Sequence, residues 1–184
     1  MKQIGVFLLL LMLLSACGNK KSNIEQEVQS LAEEWDKTAT NLDEMLKDLN
    51  ALQETWLVVK DSLTVDKNIM AQLEQPVKDS LNSILTKYDS YNTIFHNLRQ
   101  SISDFINQWK AQSGQVGSLK TSATATNVQR LQKSLADAKE KSAAWQSEID
   151  KAKADLHDLF YTFLRTRDQA TGQLFDPQRP GSAQ

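Results

Sequence analysis

Apolar residues recur along most of this chain in alternating steps of four and three. The first series runs Ile24, Val28, Leu31, Trp35, Leu42, Met45, Leu49, Leu52, Trp56, Val59 and Leu63, interrupted at Thr38. A second runs Met70, Leu73, Val77, Leu81, Ile84, Tyr88, Tyr91, Phe95, Leu98, Ile102, Phe105 and Trp109, with two successive steps of four beside Pro76. The third is Val128, Leu131, Leu135, Ala138, Trp145, Ile149, Ala152, Leu156, Leu159 and Phe163, interrupted at Ser142. A mean step of 3.5 keeps each series on one face of a helix, and seams this long exceed those of short amphipathic segments. The pattern predicts an all-α fold, an elongated antiparallel three-helix bundle or coiled coil. Its arms have about 40 residues and ~60 Å of length each.

The connections predict the boundaries. Ser113-Gly114-Gln115-Val116-Gly117-Ser118 and the Ser/Thr-rich stretch after it read as a linker, because paired glycines end a helix by permitting left-handed backbone. Thr126-Asn127-Val128-Gln129 then fits a capping box for the last helix. Between the first two series, Ser62-Leu63-Thr64-Val65-Asp66 offers β-branched residues and a cap at Asp66. A break near residue 65 gives three matched arms; the alternative is one helix from Ile24 to Gln75 that stops at Pro76. The expected helices are therefore 24–63, 66–112 and 126–167. Residues 168–184 hold two of the three prolines and no helical period, so they read as a disordered tail, with Leu174-Phe175 as its one apolar pair.

Composition narrows the function classes. The 184 residues are 40% hydrophobic and 24% charged with net charge −2, which leaves no basic footprint for nucleic acid. The single cysteine closes no intramolecular disulfide and builds no Cys-rich zinc site. Charge is unevenly shared: residues 24–62 hold ten acidic and three basic side chains, whereas residues 126–167 hold six acidic and eight basic. Opposite bias suits the first and third helices as neighbours, although each exposed pair contributes only ~0.2–1 kcal/mol.

The N-terminus carries the one specific motif. Met1-Lys2-Gln3 precedes an apolar run from Ile4 to Leu14, broken only by Gly5. That run is shorter than the about 20 residues a spanning helix needs, and it has the flanks of a signal-peptide core. Leu14-Ser15-Ala16-Cys17 follows, and it resembles the lipobox of bacterial lipoproteins. The resemblance covers residues 1–18. It implies that residues 1–16 are a signal peptide, that Cys17 is the acylated mature N-terminus, and that 17–23 form a flexible lipidated tether. Gly18 rather than Asp after the cysteine implies the outer membrane in a host with two membranes, and otherwise the outer face of the single membrane.

Beyond Cys17 no site residue is expected. The tryptophans Trp35, Trp56, Trp109 and Trp145 all fall on seams, which predicts core packing over a groove for peptide or glycan. His96 and His157 stand beside seam residues with no second histidine or carboxylate at four-residue spacing, so neither a metal nor a cofactor is expected. There is no phosphate loop, nucleophile elbow or His-Glu-x-x-His motif, and a non-catalytic protein is expected. The expected partners are the membrane, through acylated Cys17, and an envelope protein or a second copy. The alternative is a carrier or chaperone-like protein for an apolar ligand or unfolded chain.

Overall fold

The computed structural model describes residues 20–172, and Cys17 and the signal peptide expected over 1–16 lie outside them. The fold is all-α, built from α1 (Lys20–Ser62), α2 (Lys67–Gln72), α3 (Gln75–Ser122) and α4 (Ala125–Ala170). The three long helices form an elongated up-down-up bundle in which each touches the other two. Trp35 stacks on Trp109 while Trp56 stacks on Tyr88, so α1 and α3 are antiparallel. Phe105 meets Trp145 and Tyr91 meets Asp155, which fixes α4 antiparallel to α3 and parallel to α1.

Both expected break points between the first two long helices are used. Helix α1 ends at Ser62, and Asp66 Oδ1 then caps α2 by accepting from the N–H groups of Asn68 (2.8 Å) and Ile69 (3.3 Å). Leu73 and Glu74 are extended, and α3 starts with Pro76 in its first turn. Proline belongs there, because its missing N–H has no intrahelical acceptor at that position. Lys78 Nζ donates to Ala71 O at 3.0 Å and ties the short helix to the long one.

Several boundaries differ from expectation. The chain is already helical at Lys20, so residues 20–23 of the tether expected over 17–23 are helix, and 17–19 lie outside the described residues. The expected linker over 113–125 is helix up to Ser122, and only Ala123 and Thr124 connect α3 to α4. Gly114 and Gly117 take ordinary helical backbone; among the described residues the positive-φ glycine is Gly172. Two helical glycines cost roughly 1–2 kcal/mol together. Burying Val116 and Leu119, which are 5% and 3% exposed, contributes about 3–6 kcal/mol, so the helix continues. The cap of α4 is Thr124, whose hydroxyl accepts from Asn127 N at 3.3 Å, rather than Thr126. At the other end α4 passes Arg167 and stops at Ala170, burying Asp168 beside the Arg167 guanidinium (2.8 Å). The expected tail thus begins too early; Leu174-Phe175 lies outside the described residues.

The core is divided. One cluster joins Val28, Leu31 and Trp35 to Trp109, Val116, Leu119 and the first half of α4 as far as Ala138. The other begins at Leu42 on α1 and Ile149 on α4, and it takes in α3 from Leu81 to Ile106. The gap falls at Thr38 and Ser142, the two positions where the apolar series are interrupted. Thr38 is buried, and its hydroxyl donates to Glu34 O at 2.8 Å, which leaves it no need of a partner across the bundle. Phe105 spans the gap, packing against both clusters.

Three of the four tryptophans are buried as expected, while Trp145 is half-buried, its ring edge-on to Phe105 at 5.4 Å. Trp56 Nε1 donates to Tyr88 O at 3.0 Å. The indole N–H groups of Trp35 and Trp109 are buried with no acceptor among the described residues. Such an orphan donor costs about 1–3 kcal/mol. Each ring buries roughly 150–250 Å² and contributes ~4–6 kcal/mol, so packing outweighs the loss.

The chain from Gly18 to Gln184 is expected to be soluble and helical, because both clusters draw only on residues between Ile24 and Leu164. Chemical denaturation should show Trp35→Ala losing ~3–5 kcal/mol, with Trp145→Ala losing clearly less. Equal losses would place Trp145 in the core.

Candidate functional site

Two of the three helix–helix seams are closed by large residues, and the third is not. Between α3 and its neighbours stand Trp56, Tyr88, Tyr91, Phe95, Phe105 and Trp109. Along the parallel α1–α4 seam Thr38 and Asn41 stand level with Ser142 and Ala143, and further along α1 the seam is edged by Ala51 and Thr55. Small side chains leave the outer surface of this seam unfilled, and a groove results.

The groove has two stretches that meet at Asp48 and Gln146, which line both. The stretch nearer the start of α1, about 620 Å³, is polar and passes over Thr38 and Ser142, where the core is divided. The other, about 920 Å³, has an apolar floor of Leu52, Trp56, Val59, Ile149, Leu156 and Phe160. Its rim carries Thr55, Asp150, Lys153, His157 and Tyr161. Glu34 and Lys139 pair across the top of the polar stretch. Val58, one residue from the floor residue Val59, is 73% exposed, the most exposed large apolar residue of the described chain.

Sequence reasoning placed Trp56, Leu52, Val59 and Leu156 on seams, but not at the edge of an open groove. The histidines are both exposed, as expected of surface residues. His157 nevertheless sits 3.6 Å from Asp158, although adjacent residues do not share a helix face, and it leans on the Tyr161 ring at 4.5 Å. Among the described residues no three His, Cys, Asp or Glu side chains converge as metal ligands, and no helix is long and apolar enough to cross a membrane.

Two tyrosines behind the groove have displaced acidity. Burial pushes the Tyr88 phenol well above its ordinary value of 10; its hydroxyl reaches Trp56 O at 3.5 Å, reciprocating the indole bond. Burial also pushes Tyr91 up to about 12, aided by the Asp155 carboxylate, which accepts its proton at 2.7 Å and repels a phenolate. Both are groups the fold holds neutral, which suits packing and not proton transfer near neutral pH.

In comparison with known proteins, the chain matches no family model, and no curated protein and no solved structure is similar to it.

The tyrosines make a pH prediction. A phenol with a raised folded pKa contributes stability in full below its unfolded value of 10, and that contribution is lost as pH rises through about 12. Denaturation midpoints should therefore be insensitive to tyrosine ionisation below pH 10 and fall between 10 and 12. Tyr91→Phe should flatten part of that fall, read against tyrosinate absorbance. An unchanged slope in the variant removes Tyr91 from the account.

Proposed function

We propose that the protein is a lipid-anchored lipoprotein of the bacterial cell envelope, with a non-catalytic scaffold or protein-interaction role. The observation that carries the reading is the leader: a short apolar run of signal-peptide length ending in Leu14-Ser15-Ala16-Cys17, with Cys17 the single cysteine of the chain. Acylation gives that lone thiol a purpose, and two or more acyl chains on one residue anchor stably where one does not. By the same resemblance Gly18 favours the outer membrane in a two-membrane host. The helical body supports a partner-binding role through its long surfaces. Its displaced pKa values belong to packed tyrosines, away from any cluster of nucleophile and base.

A second reading, an apolar-ligand carrier, is favoured by the aromatic floor of the groove, where Trp56 and Phe160 line about 920 Å³. Solvatochromic dye binding separates the two: a carrier should take up the dye stoichiometrically and release it to a competing lipid.

For the anchor, Cys17→Ser should abolish incorporation of labelled fatty acid and leave the precursor uncleaved. Normal processing and membrane retention of that variant would defeat the lipoprotein reading.

A further inference from the structure

We infer that the end of the rod where α1 begins is a basic foot that seats on anionic phospholipid headgroups, so that the bundle stands upright on the membrane. The inference rests on the lipid-anchor reading above and names the surface of the protein that meets the bilayer.

The helix register decides which residues share that end. Glu34 on α1 pairs with Lys139 on α4, so Lys20, fourteen residues earlier, stands level with Ala125, also fourteen earlier. Ile24 and Ala123 pack against the same core cluster. The start of α1, the Ala123–Thr124 connection and the first turns of α4 therefore form one end. Cys17 precedes Lys20 by three residues, and three residues of chain span at most ~11 Å. A lipid on Cys17 thus brings this end to the bilayer, and not the α2 end.

Charge is distributed to match. The chain has 23 acidic side chains in 184 residues, one in eight. Yet the 32 residues 105–136, which pass down the last part of α3, through the connection and into α4, hold none. They carry Lys110, Lys120, Arg130 and Lys133. Lys110 is engaged by Asp43 at 3.7 Å. Arg130 and Lys133 are exposed and make no ion pair among the described residues. They lie about 8 and 12 Å from Ala125 along the axis, within the range of a surface potential at low salt. The facing stretch of α1, 20–32, holds Lys20 and Lys21 against Glu25 and Glu27, so it takes nothing from the surplus. Ser122, Thr124 and Thr126 around the connection are exposed and short, which lets a headgroup come close.

The remaining surface works against lying flat. Residues 24–62 hold ten acidic side chains against three basic, and residues 137–167 hold six of each. Around α2, Asp66, Glu74 and Asp79 outnumber Lys67 and Lys78. An anionic surface therefore attracts the foot and repels the α1 flank. Seated this way, the 43 residues of α1 raise α2 about 65 Å above the headgroups.

The test couples the mature chain, Cys17–Gln184, through its single thiol to a maleimide lipid in phosphatidylcholine discs, with or without about 30% phosphatidylglycerol. A gadolinium-chelate lipid in the same discs broadens each amide resonance according to its distance from the headgroups. Broadening over residues 122–130 should be at least about threefold greater on the anionic discs, with α2 unaffected on both. Salt at about 0.5 M should remove the difference. Arg130→Glu with Lys133→Glu, at exposed positions, should also remove it, with unchanged melting. Lys151→Glu with Lys153→Glu, the same charge change about 40 Å up α4, should preserve it. Equal broadening on the two lipids, equal loss in the control pair, or broadening spread evenly from the connection to α2 would each overturn the proposal. Coupling here is chemical. Loss of the acylation reading through Cys17→Ser would therefore leave this measurement standing, and a foot indifferent to lipid charge would leave acylation of Cys17 intact.

Discussion

Register between three long helices is the constraint on which the rest of this structure depends. A seam of repeated Leu and Val can slip by a heptad with little penalty, but large rings cannot. Trp35 lies flat on Trp109, at 3.7 Å between centroids and 11° between planes. Trp56 and Tyr88 lock the far end by exchanging hydrogen bonds with each other's backbone carbonyls. Tyr91 and Asp155 then set α4 against α3. Sliding any helix by one heptad would bury Thr38 against a ring or expose an indole, each costing more than the aliphatic contacts recover. Groove, divided core and helix ends all take their positions from these few contacts.

Charge has less to do with the arrangement. The acidic bias of α1 and the basic bias of α4 suit the two as neighbours, yet among the described residues Glu34–Lys139 is the one ion pair that joins them. Asp43 and Lys60 turn instead to Lys110 and Asp89 on α3. All three pairs are well exposed, where each contributes little. The acidic surplus remains on the surface and decides what can approach.

Periodicity alone exposed the fold, because every long helix must bury one stripe and the stripe is written at steps of three and four. Where that reading failed, a local signal was allowed to outrank the period. Gly114 and Gly117 suggested a linker, although Val116 and Leu119 continue the phase of Trp109 and their burial is larger than the glycine penalty. Asp168 falls within the tail expected from the two prolines and the missing period of residues 168–184, yet it continues the spacing of Phe160 and Leu164 and is buried with them. Trp145 shows the converse limit: a residue on the seam beside a gap at Ser142 has too few neighbours to be enclosed. The groove was not legible at all. It depends on Thr38 and Asn41 coming level with Ser142 and Ala143, residues about a hundred positions apart whose short side chains matter only once the parallel register is known.

An odd number of long helices puts the start of α1 and the end of α4 at opposite ends of the rod: α1 begins beside the α3–α4 turn, and α4 finishes beside α2. Tension applied between the termini therefore pulls α1 and α4 lengthwise past their neighbours. Every ring contact along both seams is loaded in shear at once, whereas a two- or four-helix hairpin stack would be peeled open one turn at a time. The same number of buried residues thus gives greater resistance to extension.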